Sequence, residues 1–215
     1  MIAIIDYDAG NIKSVEKALK YLGEDAVITS DRDVILNASG VILPGVGAFG
    51  DAMEKLTTRS LDSVIYEYVS EGKPFLGICL GLQLLFENSE ESPGVKGLGL
   101  LKGTIKKIPN EYSDNSGAEN NTIITQKVPQ IGWNSIEVNP DSSLLKGIKS
   151  GSYVYFVHSY YLQAAHSDEV AATTNYGVSI DAAVERSNVM ATQFHPEKSS
   201  EVGLNILKNF INMCK

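Results

Sequence analysis

The fold of this chain is indicated first by residues 77–83, which read GICLGLQ. The apolar residues 73–78 predict a short strand, and residues 80–88 follow it with the periodicity of a helix. Cys79 therefore lies between a strand and a helix, with one glycine two positions before it and another two positions after it. This spacing is typical of a nucleophile elbow, a sharp turn that presents a reactive side chain at the end of a strand.

Each residue type in this turn has a physical reason. A nucleophile elbow strains the backbone, and a side chain at position 77 or 81 would collide with the neighbouring strand or helix. At the start of a helix, partial positive charge favours the thiolate, which is the attacking form of cysteine. A lone cysteine is more often a small buried hydrophobic residue. The two flanking glycines favour the other interpretation, and we predict that Cys79 is a catalytic nucleophile.

On either side of this turn, segments rich in Ile and Val alternate with helical stretches, the pattern of strand-helix units. We predict an α/β fold with an open, mainly parallel twisted sheet flanked by helices. Asn11 is predicted to cap the first helix, and Gly23 to end it. The other predicted helices are residues 61–69 and 200–213, and the other predicted strands are residues 1–6, 26–29, 40–43, 134–139, 153–157, 170–174, 179–185 and 188–193.

The region from Asn110 to Asn121 has a different composition. It is rich in Asn, Ser, Gly and Glu and has almost nothing apolar to bury, which predicts a mobile surface loop. We interpret it as an insertion within a domain rather than a linker between two. The length of 215 residues fits one compact core, so residues 1–215 are predicted to form a single domain.

The charge and the apolar pattern exclude several classes of partner. The formal net charge is −8 and no basic stripe is present, which argues against a nucleic-acid partner. No apolar run reaches the roughly 18 residues that a membrane-spanning helix needs. Residues 1–6 lack the basic start and the cleavage site of a signal peptide. We therefore expect a cytoplasmic protein that binds neither nucleic acid nor membrane.

The cysteines and histidines give no sign of a disulfide or a metal. The chain has two cysteines, Cys79 and the penultimate residue Cys214, which argues against a disulfide framework. His158 and His166 are interpreted as structural or solvent-facing residues. Because no Cys/His cluster has the spacing of metal ligands, we expect no metal and no cofactor.

A candidate base follows the predicted strand 190–194. Residues 195–197 read His-Pro-Glu, and in an extended chain His195 and Glu197 would point to the same face. Pro196 biases His195 toward an extended conformation, so that Glu197 could accept a hydrogen bond from the imidazole and orient it. On its own the tripeptide is more typical of a surface turn. Together with a nucleophile elbow it predicts a triad of Cys79, His195 and Glu197.

The glycine-rich loop at residues 44–50, PGVGAFG, has two interpretations. Residues 45–50 match the G-x-G-x-x-G fingerprint of dinucleotide-binding folds. That fingerprint belongs after the first strand and needs an acid about 20 residues later, whereas this loop follows the third strand and position 65 lies in a predicted helix. The favoured interpretation is a loop whose backbone N–H groups approach a developing oxyanion. A plain tight turn is the remaining alternative.

Residues 44–47, 77–83 and 195–197 together resemble the class I, or triad, glutamine amidotransferases, and the resemblance covers essentially the whole chain. It implies a flavodoxin-like fold with additional antiparallel strands. It also implies that Cys79 attacks the side-chain amide of glutamine and that His195 protonates the departing ammonia. Backbone N–H groups near Val46 and Leu80 would stabilise the oxyanion. The remaining implied positions are Gly45 and Gly47 in the oxyanion loop, and Gln83, Ser159 and Tyr160 in the glutamine pocket.

Two further stretches narrow the resemblance. Residues 130–134 (QIGWN), and residues 156–160 (FVHSY) with 195–199 (HPEKS), are similar to the glutaminase subunits of imidazole glycerol phosphate synthase. That similarity implies a heterodimer with a (β/α)8-barrel cyclase subunit, which uses the ammonia in histidine biosynthesis. The residues expected at the interface with the barrel are Trp133, Asn134 and Lys198, of which Lys198 would pair with an acid.

Other functions remain open from the sequence. The partner could belong to vitamin B6 synthesis, or to a system that amidates a bacterial surface sugar; Trp133, Asn134 and Lys198 argue only against the former. A cysteine peptidase of similar fold would need a substrate groove, and assays of γ-glutamyl specificity would distinguish it. A binding module without catalysis is disfavoured, because Cys79, His195 and Glu197 are all present.

Overall fold

The structure, a computed structural model, describes residues 1–114 and 122–215. The helices are α1 (Ile12–Tyr21), α2 (Arg32–Leu36), α3 (Phe49–Thr58), α4 (Leu61–Ser70), α5 (Leu80–Leu84) and α6 (Ser200–Met213). The strands are β1 (Ile2–Ile5), β2 (Ala26–Thr29), β3 (Gly40–Gly45), β4 (Phe75–Cys79), β5 (Asn88–Ser89), β6 (Gly103–Lys107), β7 (Glu111–Asp114), β8 (Thr122–Thr125), β9 (Gln130–Val138), β10 (Ser152–His158), β11 (Tyr160–Ala164), β12 (Val170–Asn175), β13 (Ser179–Arg186) and β14 (Val189–Thr192). Single 3-10 turns lie at Ser167–Glu169 and Pro196–Lys198.

The central sheet has nine strands in the order β10, β9, β12, β13, β14, β4, β3, β1, β2. The strands from β14 to β2 pair in parallel, and those from β10 to β14 pair antiparallel. A second sheet contains β11, β6 and β5, and β7 pairs with β8. The predicted open α/β sheet with helices and additional antiparallel strands is therefore confirmed.

The core lies on both faces of the parallel strands. Successive side chains of a strand point to opposite faces, and β1 illustrates the consequence because all four of its residues are buried. Ile2 and Ile4 pack in the cluster that contains the apolar faces of α1 and α6. Ala3 and Ile5 pack in the cluster formed with α3 and α4. Burial on both faces explains why these strands read as continuous apolar runs in the sequence.

The helix after Cys79 is shorter than predicted, since α5 ends at Leu84 instead of residue 88. The cause is a set of tertiary hydrogen bonds. The backbone N–H groups of Leu98 and Leu101 donate to the carbonyl oxygens of Leu84 and Leu85, and those of Gly97 and Gly99 donate to Glu87 and Phe86. These carbonyls are bonded to a distant segment, and the chain leaves the helix.

The expected loop from Asn110 to Asn121 is wrong at its start, because β7 and β8 form an antiparallel pair in which Glu111 lies opposite Thr125. Polar composition does not prevent pairing where cross-strand hydrogen bonds are available. Residues 115–121 of the predicted loop lie outside the described residues. Five further elements are not predicted from the sequence, and they are short or lie beside glycine-rich segments: α2, α3, β5, β6 and β11. Within residues 1–114 and 122–215, no helix has both the length and the apolar character to cross a membrane.

Candidate active site

The predicted site residues meet at the carboxyl ends of the parallel strands. β3 and β4 end side by side, and Gly45 is the register partner of Cys79. β14 pairs with the other side of β4, with Thr192 opposite Ile78, and the chain then continues to His195. In open α/β sheets this is the edge at which ligands bind.

The turn at Cys79 has the geometry of a nucleophile elbow. Its φ of 57° and ψ of −109° lie outside the regions that residues with a side chain ordinarily adopt. A Cβ added to Gly77 would come within 2.8 Å of the carbonyl oxygen of Gly81. A Cβ added to Gly81 would overlap the carbonyl oxygen of Leu43 in β3. The strained turn and the physical reason for both glycines are therefore as predicted.

The imidazole of His195 lies between Cys79 and Glu197. Its Nδ1 is 2.9 Å from Oε1 of Glu197, and His195 lines the same cleft as Cys79. The side chains of His195 and Glu197 are only 2% and 0% exposed. His195 is extended as predicted, but Glu197 is not, because residues 196–198 form a 3-10 turn. The turn, and not an extended chain, brings the carboxylate to the imidazole.

Two opposing effects set the pKa of His195. Burial lowers it, because a charged imidazolium is disfavoured away from water. The hydrogen bonds and negative charges of Cys79 and Glu197 act in the opposite direction and raise the pKa to about 9, from 6.5. The imidazolium is therefore the favoured form at neutral pH, and it can donate a proton.

Two polar residues in contact with the triad were not assigned to the site by sequence. Nδ2 of Asn11 donates to Oε1 of Glu197 at 2.6 Å, and the two residues are 186 positions apart. Nε2 of Gln193, which is fully buried, lies 3.8 Å from Sγ of Cys79. Gln193 precedes His195 by two positions, and strand alternation could have indicated it. No local signal marks Asn11. Asn11 is the N-cap residue of α1, as predicted, but its side chain makes no capping bond.

Gln83, predicted to bind glutamine, is 5% exposed. Its Nε2 donates to the carbonyl oxygen of Tyr160 and to Oε1 of Gln193, both at 3.0 Å. Both amide N–H groups are thus bonded within the protein, and the acceptor Oε1 is the polar atom that remains for a ligand. The same contacts join Gln83 to Cys79 through Gln193.

A cleft of about 270 Å³ lies over Cys79. Its size and its mixture of apolar wall and convergent polar groups suit a small polar ligand. Of the residues predicted for the site, those that line it are Val46, Gly47, Cys79, Leu80, Gln83, Ser159, Tyr160, His195 and Lys198. Gly45 and Glu197 lie behind the wall of the cleft.

Two residues of the loop after β3, Val46 and Gly47, line the cleft. Gly47 has a φ of 104°, a conformation that favours glycine. Gly45 is buried, and a Cβ there would overlap the hydroxyl of Tyr7. Leu80 is the first residue of α5, and its N–H therefore has no partner within that helix. Val46 and Leu80 thus face one cleft with Cys79, as an oxyanion site requires.

The dinucleotide interpretation of this loop is disfavoured by the start of α3. The N–H of Phe49 donates to Oε2 of Glu91 at 2.7 Å, and the N–H of Gly50 donates to Oγ of Ser92 at 3.0 Å. A pyrophosphate would need these groups and would meet the negative charge of Glu91.

The residues predicted for a partner interface have different environments. Trp133 is 52% exposed on β9, with its ring edge-on to Tyr155 at a centroid distance of 6.0 Å. Lys198 is exposed at the rim of the cleft. The side chain of Asn134 is instead bonded within the chain, to the carbonyl oxygen of Asn175 and the N–H of Ser135.

His158 has the surroundings of a structural residue. Its ring nitrogens lie 2.9 Å from the carbonyl oxygen of Tyr160 and 2.9 Å from Oε1 of Gln130. Burial lowers its pKa to about 4, so it is neutral at pH 7. His166 is exposed. Across the described part of the chain, no group of three His, Cys, Asp or Glu side chains is placed to hold a metal ion.

Solved structures with a similar backbone establish the fold. One described as a glutamine amidotransferase has a TM-score of 0.73 and 19% identity, and covers 100% of this chain and 99% of its own. The structure of PurLQS from Thermotoga maritima has a TM-score of 0.68 and 21% identity, and the match covers 100% of this chain and 98% of the PurLQS chain.

Sequence comparison is more specific. The protein named imidazole glycerol phosphate synthase subunit HisH of Caldanaerobacter subterraneus subsp. tengcongensis is 50% identical over 100% of this chain and 99% of its own length. The protein of that name from Methanothermobacter thermautotrophicus is 47% identical over 100% of both. The family model for glutamine amidotransferase class-I matches residues 3–214. This chain therefore belongs to the class-I glutamine amidotransferase family.

Proposed function

We propose that this protein is the glutaminase subunit of an imidazole glycerol phosphate synthase, and that it hydrolyses L-glutamine to L-glutamate and ammonia. The observation that carries the proposal is the placement of Cys79 in a strained elbow, in one cleft with a buried His195 that is bonded to Glu197. The names of relatives about half identical over the full chain supply the pathway.

The chemistry follows from these positions. The thiolate of Cys79 attacks the side-chain amide carbon of glutamine, and the carbonyl oxygen becomes an oxyanion that accepts hydrogen bonds from the N–H groups of Val46 and Leu80. As the intermediate collapses, the C–N bond breaks and imidazolium His195 gives its proton to the leaving nitrogen, which departs as ammonia. Glu197 holds the imidazole during this transfer.

The γ-glutamyl thioester is then hydrolysed. Neutral His195 takes a proton from water as the water attacks the thioester carbon, and the thiolate leaves as glutamate forms. This step restores the imidazolium and the thiolate, so the two half-reactions together consume one glutamine and one water. Gln83, Ser159 and Tyr160 line the cleft and would orient the amino-acid end of glutamine, with Oε1 of Gln83 as an acceptor for its ammonium group.

The ammonia is delivered to a (β/α)8-barrel cyclase subunit, HisF, in a heterodimer. A closed route is needed, because ammonia released into neutral water becomes ammonium, which has no lone pair for attack. The cyclase would join the ammonia to its ribonucleotide substrate and form imidazole glycerol phosphate and an aminoimidazole carboxamide ribonucleotide, a lyase-type reaction. The word subunit in the names of the relatives supports a partner chain.

A surface suited to this partner lies beside the cleft. We define the aromatic face as Ile131 and Trp133 of β9 with Tyr153 and Tyr155 of β10. Ile131, Trp133 and Tyr153 are each more than half exposed, and such aromatic residues frequently anchor interfaces. Lys198 at the rim would pair with an acid on the barrel. The intramolecular bonds of Asn134 suggest that it shapes β9 and that Trp133 makes the direct contact.

We also propose that residues 1–215 act as one domain in the cytoplasm. The pairing of β4 with β14 joins the first half of the chain to its last part in one sheet, which supports a single unit. Both cysteines, Cys79 and Cys214, are free thiols, which suits a reducing compartment.

The decisive experiment measures glutamate release by the purified chain, alone and with the cyclase and its ribonucleotide. Strong stimulation by both additions would support the proposal, and a rate that neither addition changes would contradict a partnership with this cyclase. No hydrolysis with this cyclase, but stimulation by a sugar-amidating barrel, would assign the chain to that other partner.

A further inference from the structure

Asn11 has an unusual backbone conformation for the residue that precedes a helix. Its φ of 68° places it in the left-handed region, which Asn tolerates better than most residues. Its side chain points away from the free N–H groups of α1. It donates instead to Oε1 of Glu197 at 2.6 Å, and its Nδ2 is 3.5 Å from Nδ1 of His195.

This contact matters because of the surroundings of Glu197. The carboxylate is fully buried, and a buried carboxylate needs donors to stay ionised. Oε1 has two partners, Asn11 and His195. Oε2 has none among the residues that the structure describes. Of the two donors to the carboxylate, His195 takes part in proton transfer and Asn11 does not.

The residue type at position 11 is restricted by both roles. Glycine could adopt the backbone conformation but would supply no donor. Aspartate could also adopt it, but would place a second carboxylate against Glu197. Only a residue that tolerates the left-handed region and carries an amide N–H satisfies both conditions, and Asn does so.

We propose that Asn11 is a positioning residue for the glutaminase reaction, which holds the Glu197 carboxylate in the orientation that meets Nδ1 of His195 and so keeps the imidazole directed at Cys79. The proposal rests on the proposed function. It adds a fourth side chain to the site, supplied by the loop after β1. Asn11 does not line the cleft, so it acts on the reaction through Glu197 and not through contact with substrate.

The terminal torsion of a glutamate side chain is broad. Without Asn11 the carboxylate can rotate, and His195 spends less time in the productive orientation. We expect Asn11→Gly to lower kcat by about 10- to 100-fold, the size of effect produced by losing a hydrogen bond to a charged group. KM should change less than about twofold, because substrate contacts are retained. Asn11→Asp, which keeps the shape of the side chain, should lower kcat by more than Asn11→Gly does.

The experiment uses the chain in complex with its cyclase and compares wild type, Asn11→Gly and Asn11→Asp. Ser60→Gly is the matched control, since Ser60 also precedes a helix with a φ of 57°, makes no side-chain cap and lies outside the site. ¹⁵N NMR of the imidazole is the second readout. The Nδ1 proton of His195 should broaden in both Asn11 variants and stay as in wild type in Ser60→Gly.

A third readout does not depend on glutamine. The rate at which iodoacetamide alkylates Cys79, followed by mass spectrometry of its peptide, reports the state of the Cys79 and His195 pair in the chain alone. If wild type hydrolyses glutamine but Asn11→Gly keeps its kcat and its NMR signal, the positioning role is refuted. If no protein hydrolyses glutamine while the Asn11 variants alter alkylation and NMR, the proposed function fails and the positioning role stands.

Discussion

Gly81 in the first turn of α5 packs directly against the carbonyl oxygen of Leu43 in β3, with no room for a Cβ between them. This contact fixes the distance between the helix that follows Cys79 and the strand that leads to Val46. Cys79 and the loop at Val46 are therefore held at one separation by a backbone contact.

Gly81→Ala should disturb both stability and catalysis. The added methyl must push α5 away from β3, which we expect to lower the free energy of unfolding by about 1 to 3 kcal/mol, as overpacking does, and to reduce glutamine hydrolysis. Urea denaturation and steady-state kinetics measure the two effects. Gly23→Ala is the control for the added methyl, because nothing lies within 4 Å of a Cβ at that position; Gly23 has a φ of 78°, which disfavours a side chain, whereas Gly81 is not among the glycines of positive φ. Equal activity in the two variants would contradict the argument.

Cys79→Ala should abolish glutamine-dependent synthesis by the complex and leave synthesis from added ammonium salts intact. The substitution removes the sulfur that forms the thioester and leaves the partner's reaction untouched. Both reactions can be followed by formation of the carboxamide ribonucleotide. Loss of the ammonia-dependent reaction as well would mean that the two subunits do not divide the chemistry as proposed.

Glu197→Gln should lower the pKa of His195 from its raised value of about 9, because a negative charge next to the imidazolium is removed. We expect kcat to fall by about 100-fold or more. In wild type the raised pKa stabilises the folded chain fully below pH 6.5, and this contribution is lost as the pH rises through about 9. Denaturation at pH 6 and pH 9.5 should therefore show a smaller alkaline loss of stability in the variant. NMR titration of His195 gives the pKa directly, and an unchanged midpoint would contradict the assignment.

His158→Gln should alter the acid dependence of stability. The pKa of His158 is lowered to about 4 by burial, so the unfolded chain binds a proton at this site more readily between pH 6.5 and about 4. Its contribution to stability is complete above pH 6.5 and is lost as the pH falls toward 4. The variant should lose stability less steeply in that range, while His166→Gln, at an exposed site, should follow wild type. Thermal unfolding at half-unit pH steps tests this, and identical slopes for wild type and His158→Gln would refute it.

Trp133→Ala should weaken binding of the cyclase without affecting Cys79. An exposed aromatic anchor at an interface contributes roughly 2 kcal/mol or more, a loss of about 30-fold in affinity. Calorimetric titration measures the affinity, and alkylation of Cys79 by iodoacetamide checks that the site is intact. Ile123→Ala is the control, since Ile123 is 68% exposed but lies on β8, outside the aromatic face. Equal affinities for the two variants would place the partner elsewhere.

The parts of the site that could be predicted from sequence are those set by local geometry. The two glycines that flank Cys79 indicate a strained turn, because side chains at their positions would collide with neighbouring backbone. Only Pro196 separates His195 from Glu197. The apolar periodicity of residues 200–213 gave α6 its observed limits. In each case the physical cause lies within a few residues of its effect.

What could not be predicted depends on contacts between distant segments. Asn11 and Glu197, which are in contact, lie 186 positions apart in the sequence. The place of Asn11 before a helix suggested that its side chain caps the helix, and the side chain makes no such bond. The early end of α5 is caused by residues 97–101, and the pairing of β7 with β8 by hydrogen bonds across a polar segment. Propensity gives no information on which distant group completes a backbone bond.

The central sheet pairs two strands, β4 and β14, that are synthesised at different times. β4, which ends in Cys79, is made early, but its neighbour β14 and the base His195 come from the last part of the chain. A chain that ends before residue 195 thus carries Cys79 without His195. On the proposed function, such an incomplete chain would not hydrolyse glutamine.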